Sequence, residues 1–424
     1  MKILIKALTP ILFLSLSVSA GASDKLCSSS HVIRSLDLPG IRQWLIWETS
    51  PTLRSWAQER PSSPLPIARV YGTMVEVETL GKSDIHGLED VLNSNHILMP
   101  WFKHPYNQDA HVPNFTLKDV DQGTAYHTAS RTIVTEINSR LVSIKMATDH
   151  PFGPTKAHQP GKVKLDADLK YSVARSKAIA QVDEQIGLDP SLVVQKEIAA
   201  VIDKESRNGY LFRDMTPLED GHFYLPAHQI PYIGKKIAEQ HGSMVGKFWQ
   251  NHWAAVIGRY QAKLLYRYGI EVRAVNPQNF LIQLDANMMP TGVLIWRDLA
   301  ESHLVKPIAS LLGLQDFITR DENNGGWGVH TLVNIDHSNI HWRFNDATPT
   351  LSADEMKNWT QVHDQAYRLE LEQALGISIP ADAEIDLKKY LNQELEKGPE
   401  SYLIESILRW HREHSQNQKT PAAS

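Results

Sequence analysis

The sequence predicts a globular chain that mixes helices with paired strands, on three observations. Phe280 to Leu284 and Val293 to Arg297 are short apolar runs of strand-forming residues, and Asp285 to Gly292 between them is turn chemistry, so the stretch reads as a hairpin. Just upstream, Val245, Phe248, Trp249, Trp253, Val256, Ile257, Tyr260 and Leu264 recur at helical spacing and stop before Gly269, a residue suited to end a helix. The 424 residues are 42% hydrophobic and 21% charged, a balance that supports a substantial core in one large or two medium domains.

The chain opens on a charged stretch with Lys2 and Lys6, an almost wholly apolar run from Ala7 to Val18, and the small residues Ser19 to Ser23. That is the pattern of an export signal over residues 1–22, cleaved after Ala20 or Ala22, which predicts a periplasmic or secreted protein; a spurious leader would leave it cytoplasmic. Cys27 follows Lys25-Leu26 rather than the small residues of a lipoprotein signal, and one cysteine makes no internal disulfide. No later stretch approaches the roughly 20 apolar residues of a membrane span. Losing Lys2 and Lys6 with the leader takes the 43 basic residues to 41 against 48 acidic ones, a net charge of −7 with no basic block, which disfavours nucleic-acid binding.

From Ser28 to about Pro66 the pattern is helical in patches, with Ile41 and Trp44 to Trp47 apolar, and ends in a Pro-rich linker, Pro61 to Pro66. Ile67 to Thr79 reads as a strand and Leu98 to Trp101 as an apolar run. Leu165 to Ile186 and Pro190 to Ile202 read as helices, the second with Leu192, Val193, Ile198, Val201 and Ile202 on its apolar face. A polar stretch with Pro and Gly over 206–230 places a boundary near 215–225, giving an N-terminal region of 23–220 and a C-terminal domain of 221–416 before a polar tail, 417–424. His303 to Leu312 reads as a helix despite Pro307, and Asp321 to Gly326 as a loop. Three helices close the chain: one opened by the capping box Ser352 to Glu355 and carrying Trp359, Val362, Tyr367 and Leu371, then Leu387 to Leu395 and Tyr402 to Trp410. His330, His337 and His341 fall within a dozen residues, yet their spacing matches no zinc pattern.

The hairpin carries the candidate site. If its strands pair in simple register, Phe280 faces Arg297 and Asn279 faces Asp298, within the roughly 5 Å of directly opposed residues. Two hard oxygen ligands so placed suit a magnesium ion that already carries substrate phosphates, although Asn and Asp are also ordinary turn residues. Thr128-Ala-Ser-Arg-Thr132 sets a guanidinium among hydroxyls, as anion binding requires and as a helix N-cap cluster also does. Lys145 ends the strand-like run from Val142.

At these residues the sequence resembles the NRPS-independent siderophore synthetases of the IucA/IucC (aerobactin synthetase) type. Tyr268-Gly269-Ile270, Ala274, Asn276-Pro277-Gln278-Asn279, Pro290 and Arg297-Asp298 follow the family pattern in order and spacing. The resemblance covers roughly residues 98–375. It implies an α+β palm, fingers and thumb fold, with the C-terminal hairpin and helical domain beside an ATP cleft. It implies ATP and Mg2+ as cofactors, and activation of a citrate-like carboxylate for condensation with an amine or hydroxyl. By the same resemblance Arg131, Gln278 and Arg297 take catalytic or supporting roles, and Ser130, Thr132, Lys145, Lys156 and Asn276 line the nucleotide site. Asn279 and Asp298 hold the metal. The expected partners are a small polycarboxylate and an amine, and a homodimer is one expected assembly.

Several positions depart from the family pattern. Met99 and Phe102 flank Pro100-Trp101 in place of His and Gln, with His104-Pro105 close by. Ala129 stands for a serine, Lys156 for an arginine, and Asn276 for a histidine with one extra residue before it. The family's chains are also longer, and a leader directs this chain away from an ATP supply. The alternatives are an exported, catalytically degenerate binding or regulatory protein that keeps the cleft, or a protein that transfers an adenylyl or phosphoryl group in another cell's cytosol.

Overall fold

The computed structural model describes residues 38–48, 62–81, 87–93, 95, 97–105, 117–128, 131–146, 166–272, 275–317, 351–380, 383, 387, 390, 393–398 and 401–417. The leader, Cys27, Ser130, Lys156, the three clustered histidines and most of the tail lie outside them. The architecture is mixed α and β, as the sequence predicts. Helix α1 (Pro39–Glu48) precedes β1 (Ser62–Tyr71), β2 (Val75–Thr79), the single-turn helix α2 (Glu89–Leu92), β3 (Leu98–Phe102), β4 (Leu117–His127), β5 (Thr132–Ile137) and β6 (Arg140–Met146). Helix α3 (Asp166–Ile186), β7 (Leu192–Val194), β8 (Glu197–Asp203) and β9 (Gly209–Asp214) follow.

Eight of these strands form one sheet in the order β2-β8-β9-β6-β5-β4-β1-β3. Only the short turn Gly72–Met74 joins β1 to β2, yet the two lie six strand positions apart. Six positions span about 29 Å in a flat sheet, whereas the connection reaches about 14 Å. The sheet must therefore curl until its edges approach. Its concave face encloses an apolar core of Leu65, Val70, Met99, Trp101, Ile133, Ile144, Val201 and Phe212, in which Trp101, Phe102, Tyr210 and Phe212 meet edge to face.

Two expectations fail here. The Pro-rich linker is the first half of β1: Pro64 and Pro66 pair with Thr124 and Gln122 of β4, while β3 covers only Ile67 to Tyr71 on the other side. Prolines two apart turn the same side of the strand outward, so their missing N–H groups fall where no described neighbour pairs. The helix predicted over 190–202 is instead β7 and β8. Its short apolar runs, Leu192 to Val194 and Ile198 to Ile202, suit a buried strand as well as a helix face, and β8 is buried along its whole length.

The second half contains β10 (Phe223–Pro226), a π-helical turn Ile230–Gly234, α4 (Lys235–Gln240), α5 (Val245–Trp249), a second π-helical turn Gln250–Ala254, and α6 (Ala255–Tyr268). Strands β11 (Ile270–Val272), β12 (Phe280–Leu284), β13 (Pro290–Trp296) and β14 (Ser302–Leu304) lead to α7 (Lys306–Leu311), α8 (Ala353–Leu375) and α9 (Ser401–Asn417). Gly269 ends α6 at φ 62°, where an added Cβ would also come within 2.8 Å of Ile308. Ser352 and Glu355 form the predicted capping box on α8. Helix α7 begins only at Lys306 with Pro307 in its first turn, because His303 belongs to β14 opposite Glu271. The helix predicted over 387–395 does not reach its end: residues 393–395 are not helical. Among the described residues no helix is long and apolar enough to cross a membrane.

A second sheet, β10-β12-β13-β7, ties the halves together, since β7 runs parallel to β13. Helix α1 fills the remaining gap: Ile41, Trp44 and Leu45 pack with Tyr126 and Val134 of the curled sheet and with Leu281 and Ile295 of the hairpin. Its approach to β10 requires Gly40, whose added Cβ would sit 2.0 Å from the His222 carbonyl oxygen. The convex face of the large sheet is thereby held against the open end of the hairpin.

Candidate functional site

Alternation along the strands puts Thr132 of β5, Lys145 of β6 and Arg213 of β9 on this convex face, because Thr132 pairs with Lys145 and Ser143 with Arg213. A bulge between Glu197 and Ala199 sets Glu197 opposite Arg213. Both side chains are buried, and Arg213 donates from Nε and from one terminal nitrogen to Glu197 Oε1 at 2.9 and 2.8 Å. Burial opposes the Arg213 charge, and the carboxylates of Glu197 and Asp298 outweigh it, holding its pKa above the ordinary value.

The hairpin meets this face with a register that differs from the expected one. Phe280 pairs with Trp296, not Arg297. Asp285 closes the turn tightly on Met289, Leu284 pairs with Pro290, and a bulge follows before Ile282. Asn279 consequently lies opposite Arg297, whose N–H donates to the Asn279 carbonyl at 2.9 Å, and Asp298 stands one residue further on. A bulge leaves no mark in the apolar pattern, so the sequence points to simple register and the structure departs from it. Asp298 adopts φ 67°, a left-handed conformation that Asp tolerates better than most residues and that turns the chain out of the strand.

That turn aims the Asp298 carboxylate at the large sheet. Oδ2 accepts a hydrogen bond from Lys145 Nζ, and Oδ1 lies 3.3 Å from an Arg213 terminal nitrogen. The segment after it is tied down: the Leu299 N–H approaches Glu197 Oε2 at 3.4 Å, Ser302 Oγ donates to the Leu299 carbonyl at 2.7 Å, and Tyr171 and Arg175 of α3 both donate to the Ser302 carbonyl.

Arg297 has a different surrounding. Its guanidinium donates twice to the Gln278 carbonyl at 3.0 and 2.7 Å and once to Glu48 Oε1 at 2.7 Å. Trp44 lies beneath it and donates to Glu48 Oε2 at 3.0 Å. Asn276 uses its side chain as a cap, accepting from the Gln278 N–H at 3.3 Å across the turn Pro277–Asn279. The hydroxyl-rich segment at 128–132 starts no helix. It joins β4 to β5, and Thr128 Oγ1 donates to the Thr132 carbonyl at 2.8 Å, with Arg131 on the connecting bend.

Of the site residues predicted from sequence, Lys145 and Asp298 touch, Thr132 is the strand neighbour of Lys145, and Asn279, Gln278 and Arg297 share the hairpin end. Ser130 and Lys156 fall outside the described residues. Arg213, Glu197 and Glu48 were not singled out. Glu197 lay in a supposed helix and Arg213 next to a supposed boundary, and only the strand pairing reveals their positions. Together Glu48, Glu197 and Asp298 balance Lys145, Arg213 and Arg297 in formal charge. Among the described residues no three His, Cys, Asp or Glu side chains form a ready metal cage.

No protein-family model matches the sequence, and no curated protein matches it. Solved structures do. The ATP-bound aerobactin synthetase IucA from a hypervirulent Klebsiella pneumoniae superposes with a TM-score of 0.54 at 13% identity, over 83% of this chain and 73% of that one. A second structure of that synthetase gives 0.52 at 13% identity, over 83% and 72%. At this identity the likeness is one of fold, and it defines the class: a mixed α and β siderophore-synthetase architecture. This chain has the aerobactin-synthetase fold.

Proposed function

We propose that this chain is a divergent member of the IucA/IucC-type synthetases that binds ATP between the convex sheet face and the hairpin and activates a citrate-like carboxylate for condensation with an amine or hydroxyl. The observation that supports this reading best is the meeting of Lys145 with Asp298 across that junction, in a fold shared with a synthetase solved with ATP bound. Lys145, Thr132 and Arg131 would face the phosphates. Asn279 and Asp298 supply oxygen donors of the kind magnesium takes, and the ion would offset phosphate charge there. Arg297 and Glu48 hold the hairpin end, with Gln278 acting through its carbonyl.

In the reaction a substrate carboxylate oxygen attacks the α-phosphorus, pyrophosphate leaves, and an amine or hydroxyl then displaces the adenylate from the acyl carbon. The protein's share is positioning and charge neutralisation. One observation favours the second reading, an exported protein that keeps the cleft without the reaction: Met99, in place of the family histidine, is fully buried in the apolar core of the curled sheet.

Hydroxylamine trapping with ATP and citrate tests both. ATP-dependent hydroxamate supports the ligase, at rates below about 1 per second given the altered positions 99, 129, 156 and 276. ATP binding without hydroxamate supports the degenerate form, and absence of ATP binding rejects the ligase and favours a binding protein that takes no nucleotide. Export through residues 1–22 belongs to the second reading, since a leader takes the chain away from an ATP supply: a mature N-terminus at Gly21 or Ser23 in intact-mass analysis favours it, and recovery of Met1 or Lys2 favours the ligase.

A further inference from the structure

We infer that Lys145 holds the place of the metal at Asp298 until nucleotide arrives, so that metal and nucleotide enter together by exchanging the lysine from carboxylate to phosphate. The inference rests on the ATP-site reading above. Lys145 and Arg213 both reach Asp298, and they are held unlike one another. Arg213 is fixed by two hydrogen bonds to the fully buried Glu197 and approaches Asp298 only to 3.3 Å. Lys145 reaches Asp298 Oδ2 with a single ammonium on a flexible stem, from a strand whose neighbour Thr132 faces the same space. Asp298 is the more open member of the pair, with 18% of its side chain exposed against 7% for Lys145.

Charge decides the order of events. Without ligand the six charged groups balance. A divalent cation alone would have to displace Lys145 from the carboxylate, which costs roughly ten- to hundredfold in affinity. Nucleotide alone would bring its phosphates next to Asp298. With both present, Lys145 would pair with a phosphate and Asp298 would be the residue that holds the metal, while Arg213 stays on Glu197. Each ligand therefore strengthens the other, as linkage requires.

The test is calorimetric titration of Mn2+ alone, and of ATP with chelator, into wild type, Lys145→Met and Lys145→Met/Asp298→Asn, with thermal melts to verify folding. Wild type should bind Mn2+ weakly. Lys145→Met should bind it roughly ten- to hundredfold more tightly, the range that hydrogen bonds to charged groups span, and bind metal-free ATP more weakly. The double variant should lose the gain. Unchanged or weaker Mn2+ binding in Lys145→Met overturns the exchange even if wild type binds Mg-ATP. Tighter Mn2+ binding in Lys145→Met with no ATP binding in any protein would sustain the lysine as the metal's competitor while removing the ATP-site reading.

Discussion

Two buried arginine–glutamate pairs flank Asp298, and they serve opposite ends. Arg213 and Glu197 sit on neighbouring strands of the large sheet, and Arg213 extends beyond its partner to the Asp298 carboxylate. Arg297 and Glu48 join the hairpin to α1, and Arg297 also donates from Nε and one terminal nitrogen to the Gln278 carbonyl. The first pair carries charge to the site, whereas the second fixes the chain from which Asn279 and Asp298 project. A buried ion pair thus serves recognition or architecture according to where its unused donors point.

Breaking the first pair gives the largest expected effect. Arg213→Met leaves Glu197 buried without its partner and should lower unfolding free energy by about 3–5 kcal/mol, read from denaturant midpoints. Arg297→Lys keeps the charge and loses the fork, so it should cost about 1–3 kcal/mol while nucleotide binding by the folded fraction stays close to wild type. Equal losses of nucleotide affinity in Arg297→Lys and Arg213→Lys would erase the distinction between the pairs.

Acid sharpens the comparison, because burial holds some histidines neutral. Burial lowers the His127 pKa to about 3 and that of His411 to about 4. Between those values and the unfolded value near 6.5, the unfolded chain binds more protons, so stability rises with pH. The contribution is complete above about pH 6.5 and is lost as pH falls toward the folded values. His127→Gln, which retains a partner for the Ser63 hydroxyl now 2.7 Å from His127 Nε2, should flatten the fall in melting temperature between pH 6.5 and 4. An unchanged slope would mean that other groups dominate acid unfolding.

What was legible in the sequence was local. The hairpin, the Gly269 stop and the Ser352 capping box each depend on residues within a few positions, and each is present. What was hidden depends on distant pairing. The β12/β13 bulge shifts Asp298 away from Asn279, and the bulge beside Glu197 turns that side chain toward Arg213. The prolines of β1 look like a linker until their outer side is known. The sequence marks Lys145 and Asp298, 153 positions apart, on separate grounds and carries no sign of their contact.

We propose that Asp298, reached by Lys145 and Arg213, is the point at which metal and nucleotide bind. A thermal-shift titration with Mg-ATP, run in parallel with ATP in chelator, tests it most directly on wild type, Asp298→Asn and Arg297→Lys. The account predicts a metal-dependent rise in melting temperature in wild type and in Arg297→Lys that is absent from Asp298→Asn, a substitution that keeps the left-handed turn and removes only the charge. An undiminished rise in Asp298→Asn, or no rise in any of the three, would contradict it.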